Sequence, residues 1–297
     1  MRIFQVDAFT RSRYTGNPAT VVLGAEGAGD DVLRAIAREF PHAEVAFVLP
    51  ATGADHDVGI RFFNARKEAP FVGHATVAAH AVLLALGLRG LGVCRQRSGT
   101  GIIEVTAATP AADSPPSIEF KSSTPELDAP LPFKTALRVA EALGLPGAKL
   151  HETLALRIAR KGSARLLIPV ANAHALDGLT PHTDTLLALG KELGAEGFFA
   201  FAFTRGAQPA STESRMFCPA IGIPEDPVSG NAHAMLAAYL YEAGLLGRPA
   251  AGFVGRQGAQ MGRPGRVDVA LDVDRDRLTA VRISGTAVIV SEGRLAS

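Results

Sequence analysis

The sequence contains no tryptophan and only two cysteines, and its charges nearly cancel at a formal net charge of +1. Cys94 and Cys218 have neither CxxC spacing nor histidines around them, which argues against a structural zinc site and against a disulfide in a reducing compartment. The balanced charge provides no field that would attract nucleic acid or an anionic membrane. We therefore expect two small buried thiols and no nucleic-acid or membrane partner.

Long apolar runs are also missing, and none approaches the roughly 20 residues of a membrane span. The opening residues, MRIFQVDAFT, are typical of a strand and lack the basic-then-apolar layout of a signal peptide, so a cytoplasmic location is expected. The phosphate-binding patterns GxGxxG and GxxxxGK[ST] do not occur, and no His/Cys/Asp/Glu cluster has metal-ligand spacing. The chemistry predicted below therefore uses no cofactor and no metal.

The main feature that is present is a stretch that occurs twice. It reads GHATVAAHAVLLALG from Gly73 to Gly87 and GNAHAMLAAYLYEAG from Gly230 to Gly244. The closing glycine of each copy predicts the end of a helix, because glycine takes the left-handed conformation without penalty. Both helices are apolar around nearly their whole circumference, so each is expected to be buried on all sides by the sheet of its own half.

The segments around the two copies also correspond, since Arg61-Phe62-Phe63 precedes the first and Arg215-Met216-Phe217 the second. We predict an α+β fold of two pseudo-symmetric domains, each a curved mixed β-sheet wrapped around its central apolar helix. The proline-rich stretch 109–133 is the expected linker, with a short strand over 118–121. The predicted domains are 1–122, to which a C-terminal strand within 281–297 returns, and 123–280.

The starts of the two apolar helices are candidate binding positions. A buried helix N-terminus carries unpaired N–H groups and about half a positive charge. Gly73 and Gly230 let a ligand approach the backbone closely, and Ala75 and Asn231 lie in the same first turns. Two such termini facing each other would form a small anion site suited to a carboxylate.

One carboxylate belongs to the first half alone. When residues 38–40 are aligned with residues 191–193, Glu44 falls opposite Gly197 and has no acidic counterpart. Glu44 lies between a helix expected over 31–40, capped by Asp30 and ended by Pro41, and an apolar strand. A part-buried carboxylate at such a place can act as a general base or acid, and the alternative is a solvated loop glutamate.

Two further side chains lie at the helix starts. His74 follows Gly73 and can orient a substrate or relay a proton, or it can simply bond local backbone at the helix end. Asp226 is held extended by the proline after it and can fix a ligand amine or the His74 ring, unless it forms an Asx turn or N-cap. Asn231 can donate or accept a hydrogen bond at the second helix start. The histidines expected to be structural are His42, His80 and His233.

Four segments of the chain resemble the PhzF-like family, named after a phenazine-biosynthesis isomerase, within the diaminopimelate-epimerase fold. They are VDAFT with GNPATVV, AEVAFVL, FFNARKEAPFVGHA and GIPEDPVSGNAH. The resemblance covers the whole chain and implies two similar domains with the active site between them, a homodimer and no cofactor. It places the catalytic acid/base glutamate of the family on Glu44, the active-site histidine on His74 and the aspartate on Asp226.

The chain departs from the family at the helix starts. The phenazine member has a serine in place of Asn231 and GHP in place of Gly73-His74-Ala75, and both differences touch the substrate. The related epimerases use a cysteine pair at these helix starts, whereas this chain has no thiol there, which disfavours a two-thiol mechanism. The leading hypothesis is an isomerase that shifts a proton on a small carboxylate-containing metabolite with one glutamate. The alternatives are an amino-acid racemase or epimerase and a non-catalytic small-molecule-binding protein.

Overall fold

The computed structural model describes residues 1–40, 44–110, 114–204, 210–246 and 252–296. The α-helices in these ranges are α1 (Asp30–Arg38), α2 (Gly73–Ala85), α3 (Phe133–Ala142), α4 (Ala173–Asp177), α5 (Thr183–Leu193) and α6 (Gly230–Glu242). The strands are β1 (Arg2–Ala8), β2 (Asn17–Leu23), β3 (Val45–Pro50), β4 (Val58–Phe63), β5 (Glu68–Ala69), β6 (Gly92–Ser98), β7 (Gly101–Ala108), β8 (Ser117–Ser123), β9 (Glu126–Leu127), β10 (Arg157–Lys161), β11 (Ser163–Pro169), β12 (Gly197–Thr204), β13 (Ala210–Cys218), β14 (Ile223–Asp226), β15 (Phe253–Gln257), β16 (Gly265–Asp274), β17 (Arg277–Gly285) and β18 (Ala287–Arg294). Two compact units result, one of Met1–Lys121 with Ser284–Ser297 and one of Ser122–Ile283.

The first unit is built around α2. Strand β1 is antiparallel to β2 and β18, β2 is parallel to β3, and β3 is antiparallel to β4. The helix packs against β1, β2, β3 and β18, and even its polar residues Thr76 and His80 are fully buried. Gly87 has the predicted left-handed conformation just beyond the helix, with φ of +67°. The sheet-wrapped apolar helix predicted for the first half is confirmed.

The second unit repeats this arrangement around α6. Strand β10 is antiparallel to β11, β11 is parallel to β12, and β12 is antiparallel to β13. The helix packs against β9, β10, β11 and β16, its residues from Ala232 to Leu240 are buried, and Gly244 lies beyond it with φ of +67°. Each unit therefore has the mixed sheet and central helix expected of the predicted α+β fold.

The strand registers fix which residues of the two units are equivalent. Val45 pairs with Phe63 in the first unit, and Phe198 pairs with Phe217 in the second. Phe63 and Phe217 are equivalent positions, because an arginine guanidinium lies over each ring. Arg61 lies 4.9 Å from the centroid of Phe63, and Arg215 lies 5.0 Å from that of Phe217. Val45 and Phe198 are therefore equivalent, and so are the residues that directly precede them. The strand register thus supports the alignment of Glu44 with Gly197.

Two local expectations need correction or refinement. Asp30 does not cap α1, because the N-cap is Gly29 and Asp30 is already helical; its Oδ1 instead accepts a hydrogen bond of 2.9 Å from Arg61 Nη2. The boundary between the two units, at 121/122, falls within the proline-rich stretch that was predicted as a linker. The stretch also contains β8, which includes the strand anticipated at 118–121 and pairs residues 117–120 with residues 105–108 of β7. Pro41 and His42 lie outside the described residues.

The two apolar helices each carry one fully buried histidine. His233 Nδ1 donates to the Ser229 carbonyl at 2.7 Å, and its ring packs edge-on against Phe199 at 5.3 Å. His80 Nε2 donates to Gln96 Oε1 at 2.9 Å, while its Nδ1 accepts from Arg89. Desolvation is the main cause that lowers the pKa of each imidazole to about 4. Both rings are thus neutral structural groups, as predicted.

This burial makes the stability of the fold sensitive to acid. Below the ordinary value of 6.5 the unfolded chain protonates these histidines, whereas the folded chain resists until about 4. Stability contributed by each neutral ring is therefore present above pH 6.5 and is lost as the pH falls toward 4, by about 2 kcal/mol per histidine between pH 7 and 5. Urea unfolding of wild type and His233→Gln at both pH values checks this. Between pH 7 and 5 the free energy of unfolding of the variant should fall by about 2 kcal/mol less than that of wild type. An equal fall in both proteins would contradict the prediction.

Candidate functional site

The entrance to α2 is held by aromatic packing. Its N-cap residue Val72 is extended and supplies no side-chain cap. Phe71, just before it, packs edge-on against Phe120 at 5.2 Å and against Phe62 at 6.0 Å. A Cβ on Gly73 would stand 3.0 Å from Phe120 Cζ, so the close approach of this ring favours glycine. The first N–H groups of α2 are thus fixed in place without a capping side chain.

Glu44 and His74 lie together at the start of α2. The Glu44 Oε2 to His74 Nε2 distance is 3.7 Å, and the two side chains are 16% and 12% exposed. Strand β3 brings the carboxylate there, because Ala46 and Val48 pack in the core around α2 and Glu44 shares their face by the two-residue period of a strand. At 3.7 Å the contact is longer than a hydrogen bond and within the range of an ion pair if the imidazole is protonated. The pair combines a shielded proton acceptor with an adjacent imidazole.

The entrance to α6 is held by a glutamine that the sequence did not reveal. Gln257 Oε1 accepts from the Ser229 N–H at 3.1 Å, and its Nε2 donates to the Asp226 carbonyl at 2.6 Å. Ser229 is the N-cap of α6, with its Oγ accepting from Ala232 N at 3.3 Å. The loop from Asp226 to Ser229 is therefore fixed at both ends. Gln257 lies 28 residues beyond Ser229, so no local pattern indicates this role.

Asp226 follows a buried ion pair directly. Glu225 receives two hydrogen bonds from Arg215, of 2.9 Å from Nε and 2.8 Å from Nη2. Arg215 Nη1 also donates to the Leu176 and Leu179 carbonyls at 2.9 and 3.1 Å. The arginine and glutamate side chains are only 10% and 16% exposed. This bidentate contact anchors the strand that ends at Asp226 and so restricts where its carboxylate can go.

The remaining predicted site residues have distinct positions. Asn231 Nδ2 donates to Ser163 Oγ at 3.1 Å, which ties the first turn of α6 to the β10–β11 hairpin. Ala75 is fully buried, and its methyl group lies in the core around α2. Gly73 and Gly230 are the first residues of their helices. Ser163 was not anticipated, because it lies 68 residues before Asn231.

Neither cysteine lies at a helix start. Cys94 and Cys218 are buried cysteines on β6 and β13 that form no disulfide, and burial raises the pKa of the Cys94 thiol. Within the described ranges, no three or more His, Cys, Asp and Glu side chains are grouped to hold a metal ion. Over the same ranges no helix is long and apolar enough to cross a membrane.

Known proteins resemble the chain along its whole length. The family model of phenazine biosynthesis-like proteins, PhzC-PhzF, matches residues 6–293. The uncharacterized isomerase YddE of Escherichia coli (strain K12) is 38% identical over 295 residues, which cover 97% of this chain and 96% of that protein. The crystal structure of a PhzF-family phenazine biosynthesis protein from Bacillus anthracis matches with a TM-score of 0.88 and 25% identity, covering 100% of this chain and 99% of that one.

A more distant likeness concerns the fold alone. A hydroxyproline epimerase from Agrobacterium vitis, solved with bound trans-4-hydroxy-L-proline, matches with a TM-score of 0.64 at 14% identity, covering 99% of this chain and 91% of that one. The α+β fold is therefore shared by PhzF-family proteins and by an amino-acid epimerase. Together with the isomerase relatives, the near-complete match of the family model shows that the chain is an isomerase and belongs to the PhzC-PhzF family of phenazine biosynthesis-like proteins.

Proposed function

We propose that this isomerase works without a cofactor and shifts a proton on a small carboxylate-containing metabolite, with Glu44 as its single acid/base. The observation that carries the proposal is the placement of Glu44, shielded from solvent and 3.7 Å from His74 at the start of α2. Its equivalent in the second unit is Gly197, so only one unit supplies an acid at this position. A suprafacial shift needs only one group to remove and return the proton.

The other predicted residues have binding roles in this proposal. The N–H groups at the starts of α2 and α6, at Gly73, Ala75 and Gly230, bind the anionic and polar groups of the substrate. Asp226 and Asn231 orient the same molecule, and Glu225 and Gln257 restrict the segment that carries Asp226. The homodimer and the cytoplasmic location remain predictions.

An amino-acid racemase or epimerase is the second candidate. The fold likeness to the hydroxyproline epimerase favours it, since that protein was solved with a cyclic amino acid. Both of the described cysteines lie on strands, so a pair of thiols at the helix starts is not part of this chain. An epimerase reaction here would use Glu44 as one of its bases.

Hydrogen exchange in heavy water tests the proposed function. Wild type is incubated in D2O with small cyclic and amino-acid carboxylates, first screened by thermal shift, and each compound is examined by mass spectrometry and NMR. An isomerase substrate should rearrange and gain deuterium at the new carbon to the extent that the protonated Glu44 exchanges with solvent before it returns the proton. An epimerase substrate should gain deuterium at its original stereocentre. If the compounds that bind wild type neither gain deuterium nor rearrange, proton transfer as the function would be contradicted.

His74→Ala should weaken both binding and turnover. The imidazole is proposed to position the ligand beside Glu44, and losing one such hydrogen bond costs about 1 kcal/mol, roughly five- to tenfold in affinity. Calorimetric binding of an identified substrate and its initial rates check this. The control is His182→Ala, which removes an exposed histidine at the start of α5. A His74→Ala protein with wild-type affinity would argue against the positioning role.

A further inference from the structure

The first turn of α6 lies against a hairpin that carries a lysine. Strands β10 and β11 turn at Gly162, which has φ of +68°, and Lys161 pairs with Ser163 across the turn. Ser163 contacts Asn231 of the helix. Because directly paired residues of an antiparallel ladder project to the same face, Lys161 lies on the face that looks onto the start of α6.

The rest of β10 supports this orientation. Arg157 Nη1 donates to Glu242 Oε1 at 2.7 Å, at the last residue of α6. Ile158, the next residue, belongs instead to the core cluster on the opposite face, with α3 and α5. Since strand side chains alternate, residues 157, 159 and 161 face α6 in succession from its end toward its start. Lys161 is the last of the three, and its paired residue Ser163 contacts Asn231 in the first turn of α6.

Lys161 has an electrostatic environment that suits a ligand. Its side chain is partly buried, and it makes no hydrogen bond or ion pair with the residues that the structure describes. Burial lowers the pKa of its ammonium group. An ammonium group partly withdrawn from water is unfavourable unless an anion compensates it. A bound carboxylate would supply that anion.

The first unit has no cation at the equivalent place. In the β1–β2 hairpin the last pair is Ala8 with Asn17, and in the β10–β11 hairpin it is Lys161 with Ser163. Ala8 is therefore the counterpart of Lys161. The acidic residue, in contrast, belongs to the first unit, since Glu44 is replaced by Gly197 at the equivalent position of the second unit. The start of α2 is thus accompanied by a negative group and the start of α6 by a positive one.

We propose that Lys161 is a substrate-recognition residue that pairs with the carboxylate of the substrate at the start of α6. This rests on the proposed function and assigns the carboxylate of the substrate, rather than another of its polar groups, to the start of α6.

Paired acids and amides test the assignment. D-proline, L-proline and 2-aminobenzoate, each with its carboxamide, are titrated by calorimetry into wild type, Lys161→Met and Lys161→Arg. Wild type should prefer the best-bound acid to its amide by about tenfold or more, the usual worth of a charged hydrogen bond. Lys161→Met should lose that preference, and Lys161→Arg should keep most of it. The matched control is Lys191→Met, which removes an exposed positive charge from α5 and should keep the preference.

Two results would overturn the inference. One is a wild type that binds no acid more tightly than its amide, and the other is a Lys161→Met protein that keeps the wild-type preference. Thermal melts of each variant verify folding. Because binding is measured without turnover, this failure is separable from failure of the proposed function, which is judged by hydrogen exchange and by the activity of Glu44 variants.

Discussion

Glu44→Gln is expected to lower turnover by about a hundredfold or more, the usual contribution of a general acid/base. The amide keeps the size and much of the hydrogen bonding of the carboxylate but cannot take up and return a proton. Because the Glu44 side chain is 16% exposed rather than packed inside the hydrophobic core, the substitution should change the free energy of unfolding little. Initial rates and calorimetric binding of one substrate, measured for wild type and variant, check the prediction.

The control for this experiment makes the same chemical change elsewhere. Glu39→Gln removes an exposed carboxylate at the C-terminal end of α1 and should leave the rate unchanged. If Glu44→Gln kept wild-type turnover while its binding fell, Glu44 would be a ligand contact. The one-base mechanism would then be wrong.

Arg215→Met should destabilise the second unit by about 3–5 kcal/mol, because it leaves Glu225 without its charge partner in a largely buried position. The Leu176 and Leu179 carbonyls lose their donor as well. Methionine retains most of the aliphatic volume, so the loss reflects polar contacts. For a unit of this size we expect the thermal midpoint to fall by roughly 6–20 °C in calorimetry.

The equivalent arginine of the first unit provides a matched control. Arg61 makes the same bidentate contact with Glu68, at 2.8 and 2.7 Å, but the two side chains are 30% and 37% exposed. Solvent screening limits such a pair to about 1 kcal/mol or less, so Arg61→Met should shift the midpoint by only a few degrees. Equal shifts for the two variants would show that burial does not set the strength of these pairs.

The central elements were predictable because their signals are local and repeated. An apolar circumference closed by glycine appears twice at the same spacing, and it identified α2 and α6 and their burial. The duplication also singled out Glu44, since an alignment of the two halves shows an acid in only one of them. Strand pairing then supports this alignment independently, through the partners of Val45 and Phe198.

The contacts that hold the candidate site were not predictable in the same way. Gln257, Ser163 and Arg215 act on residues that are 28, 68 and 10 positions away. Their own neighbours in sequence carry no pattern that distinguishes a supporting residue from any other polar residue on a strand. Lys161 is a similar case, because its role depends on a hairpin register and on which face of β10 packs on α6. Such long-range relations exist only once the sheet has formed.

The prediction that Asp30 caps α1 was wrong for a physical reason. Asp30 is a good N-cap residue by type, but Gly29 takes the extended cap conformation and the carboxylate finds a stronger partner in Arg61. A charge-assisted contact with a residue 31 positions away outweighs the local preference. The helix therefore starts one residue earlier than its sequence signal indicates.

A crystal structure of Glu44→Gln with its bound substrate is the strongest test of Glu44 as the acid/base, because the inactive variant should hold the substrate unchanged. We expect the residue 44 side chain to lie about 3–3.5 Å from the carbon that loses or gains the proton. We also expect the substrate carboxylate to meet the N–H groups at the start of α6, with Asp226 contacting the same molecule. A substrate whose reacting carbon lies far from residue 44, with that side chain turned to bulk solvent, would contradict this role of Glu44.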